Sequence, residues 1–367
     1  MPAKTQYDGE RTVYFLGAGA SKQDRFPLTY ELKYGISWAI LKEPSRFRLL
    51  AEHLQYLYSV DDADLLESSK IWEDIKNRAG AYPTPVHTQV PDVTDFLSTL
   101  EWMIREQGSF GPGLNSLVSP HSATGELALI RDLVVQALCF CLGTYDNSNA
   151  GNTTPAFINM VRPEDSIITT NWDLLLDTAR DLRFGSQALD YGTSGNVILE
   201  YETKPKTNFR PLLLKLHGSL SWRYCQRCQR LVIDPRRYVA GDRVTHAQCE
   251  CTSRFSELIV TPGFVREYKN VHLLNIWREA LLTLAAASQW VFIGYSLPPD
   301  DVGIRTLLLK ARCMRHDLGG EAPLVKIITG PYQREQTLSR YKGILPQATL
   351  YPGDFAHFAE RANAAVA

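Results

Sequence analysis

The chain has 367 residues, of which 44% are hydrophobic and 22% charged, and its formal net charge is −1. That is the make-up of an ordinary soluble globular protein, large enough for one elaborated domain or two lobes. The near-neutral balance, without a basic tract, gives no indication of strong non-specific nucleic-acid binding, though it leaves room for a local patch. No apolar run reaches the ~18 residues that a spanning helix needs, and the polar start is no secretory signal, so a cytoplasmic protein is expected.

In chain order, "TVYFLG" at 12–17 reads as a parallel strand buried on both faces and stopped by glycine. Residues 28–110 read as mostly helical. "LTYELKYGISWAILK", "SRFRLLAEHLQYLYSV" and "VTDFLSTLEWMIREQ" carry apolar residues at three- and four-residue spacing. "PTPVHTQVP" is a connection and "GSFGPGLNSLVSP" a loop. "ATGELALIRDLVVQALCFCLGTY" returns to helix, and "YDNSNAGNTTP" is again a loop. From there strands predominate: "EDSIITTNWD" followed by the helix "LLLDTARDL", then "PLLLKLHGSLSW", "ELIVTPG", "QWVFIGYSL", "PLVKIITG" and the strand–helix "ATLYPGDFAHFAERA". Strands separated by helices predict an α/β fold with a doubly wound parallel sheet. The expected organisation is a single domain, 1–367, with a helical insertion at 28–150 and a small cysteine-bearing module at 221–257.

Three groups of residues carry chemistry. "GAGAS" at 17–21 has two glycines one residue apart at a strand end. Such a turn lets a phosphate approach the backbone ahead of a helix N-terminus, or merely lets that helix pack closely on the sheet. Cys225, Cys228, Cys249 and Cys251 form two chelating pairs that suit a closed, structural zinc site, with His246 as a possible substitute and four free thiols as the alternative. Cys139, Cys141 and Cys313 read as core or incidental thiols. Finally, Asn171, Asp173, His217, Gly294 and Ser296 follow apolar strands, where a parallel sheet delivers residues into a ligand crevice. Asn171 and Asp173 could equally cap the helix that follows them.

Taken in order, these motifs resemble the sirtuin superfamily, the NAD-dependent enzymes that cleave the nicotinamide–ribose bond. "GAGAS", "TTNWD" at 169–173, "LHGSL" at 216–220, the cysteine pair beginning eight positions after His217 and "GYSL" at 294–297 carry the resemblance along almost the whole chain. It implies a Rossmann-like sheet with NAD+ as substrate and a structural Zn2+. Gly17, Ala18, Gly19 and Ser21 would hold the phosphates. Asn171 would orient the ribose and a water, and Asp173 would bind the nicotinamide carboxamide. His217 would be the general base, and Gly294 and Ser296 would contact the adenosine side.

The chain departs from the protein-deacylating members. After the glycine loop, "KQDRFPLTYEL" keeps only Pro27 of their conserved run, and Thr170 stands where they have glutamine. The stretch "VTPGFVREY" lacks their peptide-clamping strand. "TTNWD", "FIGYSLPPDD" and the helical insertion look more like the sirtuin-like NAD-hydrolysing domains of bacterial anti-phage defence. The expected activity is therefore NAD+ glycohydrolysis to nicotinamide and ADP-ribose, with NAD-dependent deacylation or ADP-ribosyl transfer as the alternative. A homo-oligomer or a separate regulatory partner is expected to hold such an activity in check.

Overall fold

The computed structural model describes residues 11–77, 88–105, 120–144, 151–185, 190–193, 195–199, 212–235, 248–262, 270–331 and 334–364. The strands in chain order are β1 (Thr12–Leu16), β2 (Ser166–Thr169), β3 (Val197–Leu199), β4 (Leu212–Lys215), β5 (Gly218–Cys225), β6 (Leu231–Ile233), β7 (Phe255–Ile259), β8 (Gln289–Ile293), β9 (Leu324–Ile328) and β10 (Thr349–Leu350). The helices are α1 (Ala18–Ser21), α2 (Leu32–Lys42), α3 (Pro44–Tyr58), α4 (Asp62–Asn77), α5 (Val93–Arg105), α6 (Pro120–Leu142), α7 (Thr153–Met160), α8 (Leu175–Phe184), α9 (Val271–Ala286), α10 (Val302–Asp317), α11 (Arg334–Lys342) and α12 (Phe355–Ala364).

Six strands form one parallel sheet in the order β10-β9-β8-β1-β2-β4. β1 lies inside it, and all five of its residues are buried because helices cover both faces. Phe15 pairs with Ile168 of β2 on one side and Phe292 of β8 on the other. The chain leaves β1 toward β2 and later returns to β8 on the opposite flank. The carboxyl ends of β1 and β8 therefore bound the crevice where such sheets bind ligands.

A second hydrophobic cluster lies among α2 to α6, with Phe47, Trp72, Phe96, Val134 and Leu138 at its centre. Each such side chain contributes roughly 2 kcal/mol by leaving water. The cluster also takes in Leu175 at the start of α8 and Leu220 on β5, so the helices are packed against the segments that carry the strand-end residues. Among the described residues no helix is long and apolar enough to cross a membrane.

Several expectations are corrected. "PLLLKLHGSLSW" contains the expected strand and the start of a further one. It breaks at Leu216–His217 into β4 of the parallel sheet and β5 of a second, four-stranded sheet ordered β3-β6-β5-β7. Gly218 makes the break possible: its φ is +75°, and a Cβ there would meet the Leu258 carbonyl at 2.0 Å. "ELIVTPG" belongs to β7, which runs antiparallel to β5 and is no part of the parallel sheet. The helix after "GAGAS" is a single turn, succeeded by a 3-10 turn that ends at Arg25 with φ 72°. It offers no long helix dipole to a phosphate. α7 starts inside the expected loop "YDNSNAGNTTP", of which residues 145–150 lie outside the described residues. Residues 108–119 of "GSFGPGLNSLVSP", residues 83–87 of "PTPVHTQVP" and His246 also lie outside them.

Candidate active site

The glycine loop is shaped first by contact with β8. The Gly17 amide donates to Ile293 O at 3.0 Å and the Gly19 amide to Gly294 O at 2.9 Å. Gly294 has φ +61°, and a Cβ on it would lie 2.0 Å from the Ala20 nitrogen. The loop and the end of β8 thus interlock with no room for a side chain between them. The close-packing role holds here, and Ala18, Gly19 and Ser21 nonetheless line a cleft on the outer side. Gly17 lies beneath it, buried.

Asn171 and Asp173 reach the same place from the end of β2. Thr169 Oγ1 donates to Leu16 O and accepts from the Asn171 amide at 3.0 Å, which turns the chain off the strand. Asn171 Nδ2 donates to Gly17 O at 3.0 Å and to Ser21 Oγ at 2.8 Å. A carbonyl can only accept, so these bonds fix which way the carboxamide faces. Both of its N–H groups are then engaged, and Oδ1 is the atom left for a ligand. Ser21 in turn donates to Asp173 Oδ2 at 2.7 Å, and Asp173 Oδ1 accepts from the Leu175 amide at 3.1 Å. Asp173 therefore does cap the start of α8 while also facing the cleft. Burial pushes its carboxyl above the usual range, against the opposing pull of Lys215 and the Ser21 hydroxyl.

His217 occupies the turn between β4 and β5. Its carbonyl accepts from Val260 at 2.8 Å, and the neighbouring Leu216 carbonyl accepts from Trp277 Nε1 at 3.0 Å. These bonds fix the backbone, and the side chain enters the cleft. Asn171, Asp173, His217, Gly294 and Ser296 line one cleft of about 970 Å³ at the carboxyl edge of the parallel sheet. Its far wall comes from the helices and the loop before them, through Phe26, Leu28, Tyr34, Val93 and Leu142. Tyr295 and Asp301 join the β8 side, where the Tyr295 hydroxyl donates to the Asp301 carboxylate at 2.7 Å.

Outside the cleft, Cys225, Cys228, Cys249 and Cys251 bring their sulfurs within 4.8 Å of one another. The Cys225–Cys251 and Cys228–Cys249 separations are 3.4 and 3.5 Å. Those are far beyond a disulfide bond of about 2.05 Å. They are close to the ~3.8 Å edge of a tetrahedron built on zinc–sulfur bonds of about 2.3 Å. Four soft donors in this arrangement fit a closed zinc site that could brace the end of β5, the strand that begins beside His217. Cys139 and Cys141 are buried and Cys313 is exposed, all three apart from this cluster.

Sequence reasoning passed over Lys215 and Asp177. They form an ion pair of 2.8 Å beneath the site, and Lys215 Nζ also donates to Asp173 O at 2.5 Å. The available signal was a lysine inside the apolar run "LLLKL".

A parallel sheet with its cleft at the strand-order reversal, and polar residues converging there from three strand ends, defines a Rossmann-like, doubly wound α/β fold. Residues 165–344 match the family model of the SIR2-like domain. That span holds Asn171, Asp173, His217, the four clustered cysteines, Gly294 and Ser296. The match identifies a SIR2-like domain over those residues, just under half of the chain. Among solved structures, a Sir2 homologue in complex with ADP-ribose is 12% identical, with 99% of this chain and 94% of that one covered and a TM-score of 0.45. A complex of a Sir2 homologue with NAD is 14% identical, covering 99% and 91%, with a TM-score of 0.44. A Sir2–p53 peptide–NAD+ complex is 15% identical, covering 98% and 95%, with a TM-score of 0.41. No curated protein matches the chain in sequence.

Proposed function

We propose that the protein is an NAD+ glycohydrolase. The observation that carries this reading is the locked carboxamide of Asn171, whose free Oδ1 shares a cleft with His217. In the reaction the bond from ribose C1′ to the pyridinium nitrogen breaks and its electron pair leaves with neutral nicotinamide. Positive charge develops at C1′, water adds there, and the water proton passes to a base. Asn171 Oδ1 accepts from the attacking water or a ribose hydroxyl and holds it in line. His217 takes the proton, the task an imidazole suits near neutral pH. Asp173 meets the nicotinamide carboxamide. Ala18, Gly19 and Ser21 lie on the phosphate side above Gly17, and Gly294 and Ser296 on the adenosine side. Residues of α2 and α5 wall one side of the cleft, and that enclosure supports water as the acceptor.

NAD-dependent deacylation or ADP-ribosyl transfer is the second reading. β7 favours it: it is the edge strand of its sheet, and Pro262 just beyond it lines the cleft, so an extended peptide could add there. The comparable clamp stretch, 260–268, is described only to Pro262. The setting suggested by the motifs is bacterial defence by NAD depletion, with a second copy or a separate protein as its control.

The test is to incubate purified protein with NAD+ alone and measure free nicotinamide and ADP-ribose. Release without an acceptor is the expected result. Release only on adding an acylated peptide would replace the hydrolase reading with the second one.

A further inference from the structure

Among the described residues, two lysines are sealed inside the protein, Lys22 and Lys215. Lys22 is answered by both carboxylate oxygens of Glu31, which also accepts from the Leu28 amide, and the pair shapes the loop beside the cleft. Lys215 is harder to account for. Its side chain is 1% exposed and that of its partner Asp177 is 0% exposed. Taking such a pair out of water costs about as much as the attraction returns, and an apolar pair of similar size often stabilises a fold as well or better. Stability alone is therefore a poor reason for Lys215 in the middle of "LLLKL".

Its hydrogen bonds suggest another. The ammonium donates to Asp177 Oδ2 at 2.8 Å and to the main-chain carbonyl of Asp173 at 2.5 Å. Asp177 Oδ1 accepts from the Tyr191 hydroxyl at 2.7 Å, which fixes the carboxylate. Beyond Asp173 the chain of bonds runs through Ser21 to Asn171 and Gly17. Lys215 is also the last residue of β4, two positions before His217, and pairs in register with Thr169, the residue whose hydroxyl turns the chain toward Asn171. One ammonium thus joins the segment that carries Asn171 and Asp173 to the strand that ends at His217. Neither Lys215 nor Asp177 lines the cleft.

We propose that Lys215, held by Asp177, is a positioning residue: it clamps the 170–174 turn to the end of β4 and so sets the placement of Asn171 and Asp173 relative to His217. This rests on the hydrolase reading for its catalytic consequence, though not for its structural one. Removing the clamp leaves the residues that would meet substrate chemically unchanged but lets the turn that carries Asn171 and Asp173 drift. Displacements of about 1 Å can reduce turnover on the order of a hundredfold without abolishing binding.

The test compares wild type with Lys215→Met/Asp177→Asn, which removes both charges and keeps an acceptor for Tyr191, and with Lys215→Arg, which keeps a cation for Asp177 but moves the donors. Turnover and KM for NAD+ are read alongside amide hydrogen exchange. Both variants should keep a cooperative melting transition. Each should lose on the order of a hundredfold in kcat with KM changed less than about threefold. Exchange at residues 170–175 should quicken while β1 and β8 stay protected. A folded double variant with wild-type kcat, or unchanged exchange at 170–175 in both variants, overturns the proposal. If wild type itself releases no nicotinamide, the hydrolase reading fails, and the exchange comparison still decides the role of Lys215.

Discussion

The Ser21 hydroxyl donates to Asp173 Oδ2 at 2.7 Å, a bond that spans 152 residues of sequence. Ser21 Oγ also accepts from Asn171 Nδ2 at 2.8 Å, so one hydroxyl orients both residues at the end of β2. Ser21→Ala would leave a buried carboxylate oxygen and a carboxamide N–H without partners. Each such loss costs about 1–3 kcal/mol. The expected outcome is a lower urea midpoint together with slower nicotinamide release, and Ser21→Thr should restore part of both. A Ser21→Ala enzyme with unchanged turnover would show that the Asn171 carboxamide holds its orientation without this bond.

His217 and Asn171 enter the cleft from different strands and are assigned different tasks, so their substitutions should differ in kind. His217→Ala removes the base, and the expected loss in kcat is on the order of 10²–10⁴. Asn171→Asp keeps the acceptor but loses the two N–H donors to Gly17 O and Ser21 Oγ, and adds a negative charge beside Asp173. It should lower both turnover and stability. Both follow from initial-rate assays of nicotinamide release and a thermal melt. Near wild-type rates in His217→Ala would mean that another group or bulk water accepts the proton.

The parallel strands were legible because strands buried on both faces are unbroken apolar runs that stop at a glycine or a polar residue, as "TVYFLG" and "QWVFIG" do. The strand-end residues were legible for the same reason. The break at His217 was not: in "PLLLKLHGSLSW" leucines recur on both sides of it, and the change of sheet depends on the left-handed backbone of Gly218 against Leu258, a contact with a residue far along the chain. α7 was hidden by "TTP", since proline reads as a loop although it is tolerated in a helix's first turn. Periodicity had no means of showing the Lys215–Asp177 pair, because the two lie 38 residues apart on different elements.

Gly294 offers a prediction about the fold. Gly294→Ala would place a Cβ 2.0 Å from the Ala20 nitrogen on a residue with φ +61°. The backbone of the glycine loop would have to withdraw from β8. A destabilisation of more than about 1 kcal/mol is expected from the conformational strain alone. Because Ala18 and Gly19 line the cleft, affinity for ADP-ribose should fall as well, measured by calorimetry. A variant that melts like wild type would mean the loop can move without penalty.

The cysteine cluster predicts one zinc per chain, measured by elemental analysis of the purified protein. Cys225→Ser should lower the metal content and the melting temperature together, since loss of a structural metal removes folding free energy directly. β5 runs from Gly218 to Cys225, so loosening its far end should also slow turnover through His217. Activity that survives full removal of the metal by a chelator, at a temperature where the protein stays folded, would separate the module from the site.

Asp24 gives a pH signature. It is buried beside Thr154, which donates to Oδ2, while Oδ1 has no hydrogen-bond partner among the described residues. Burial raises its carboxyl to about 6, with the Thr154 hydrogen bond pulling the other way. A carboxyl raised in the folded state binds its proton more tightly there than in the unfolded chain. Folding stability therefore falls as pH rises from about 4 to about 6, and the full penalty remains above that window. Asp24→Asn keeps an oxygen for Thr154 and carries no charge. It should stabilise the protein at pH 7.5 by up to about 3 kcal/mol, the size of a two-unit shift. The gain should shrink steadily toward pH 4. Denaturation curves of both proteins across that range check it, and a difference that does not vary with pH would mean that Asp24 is not the group that titrates.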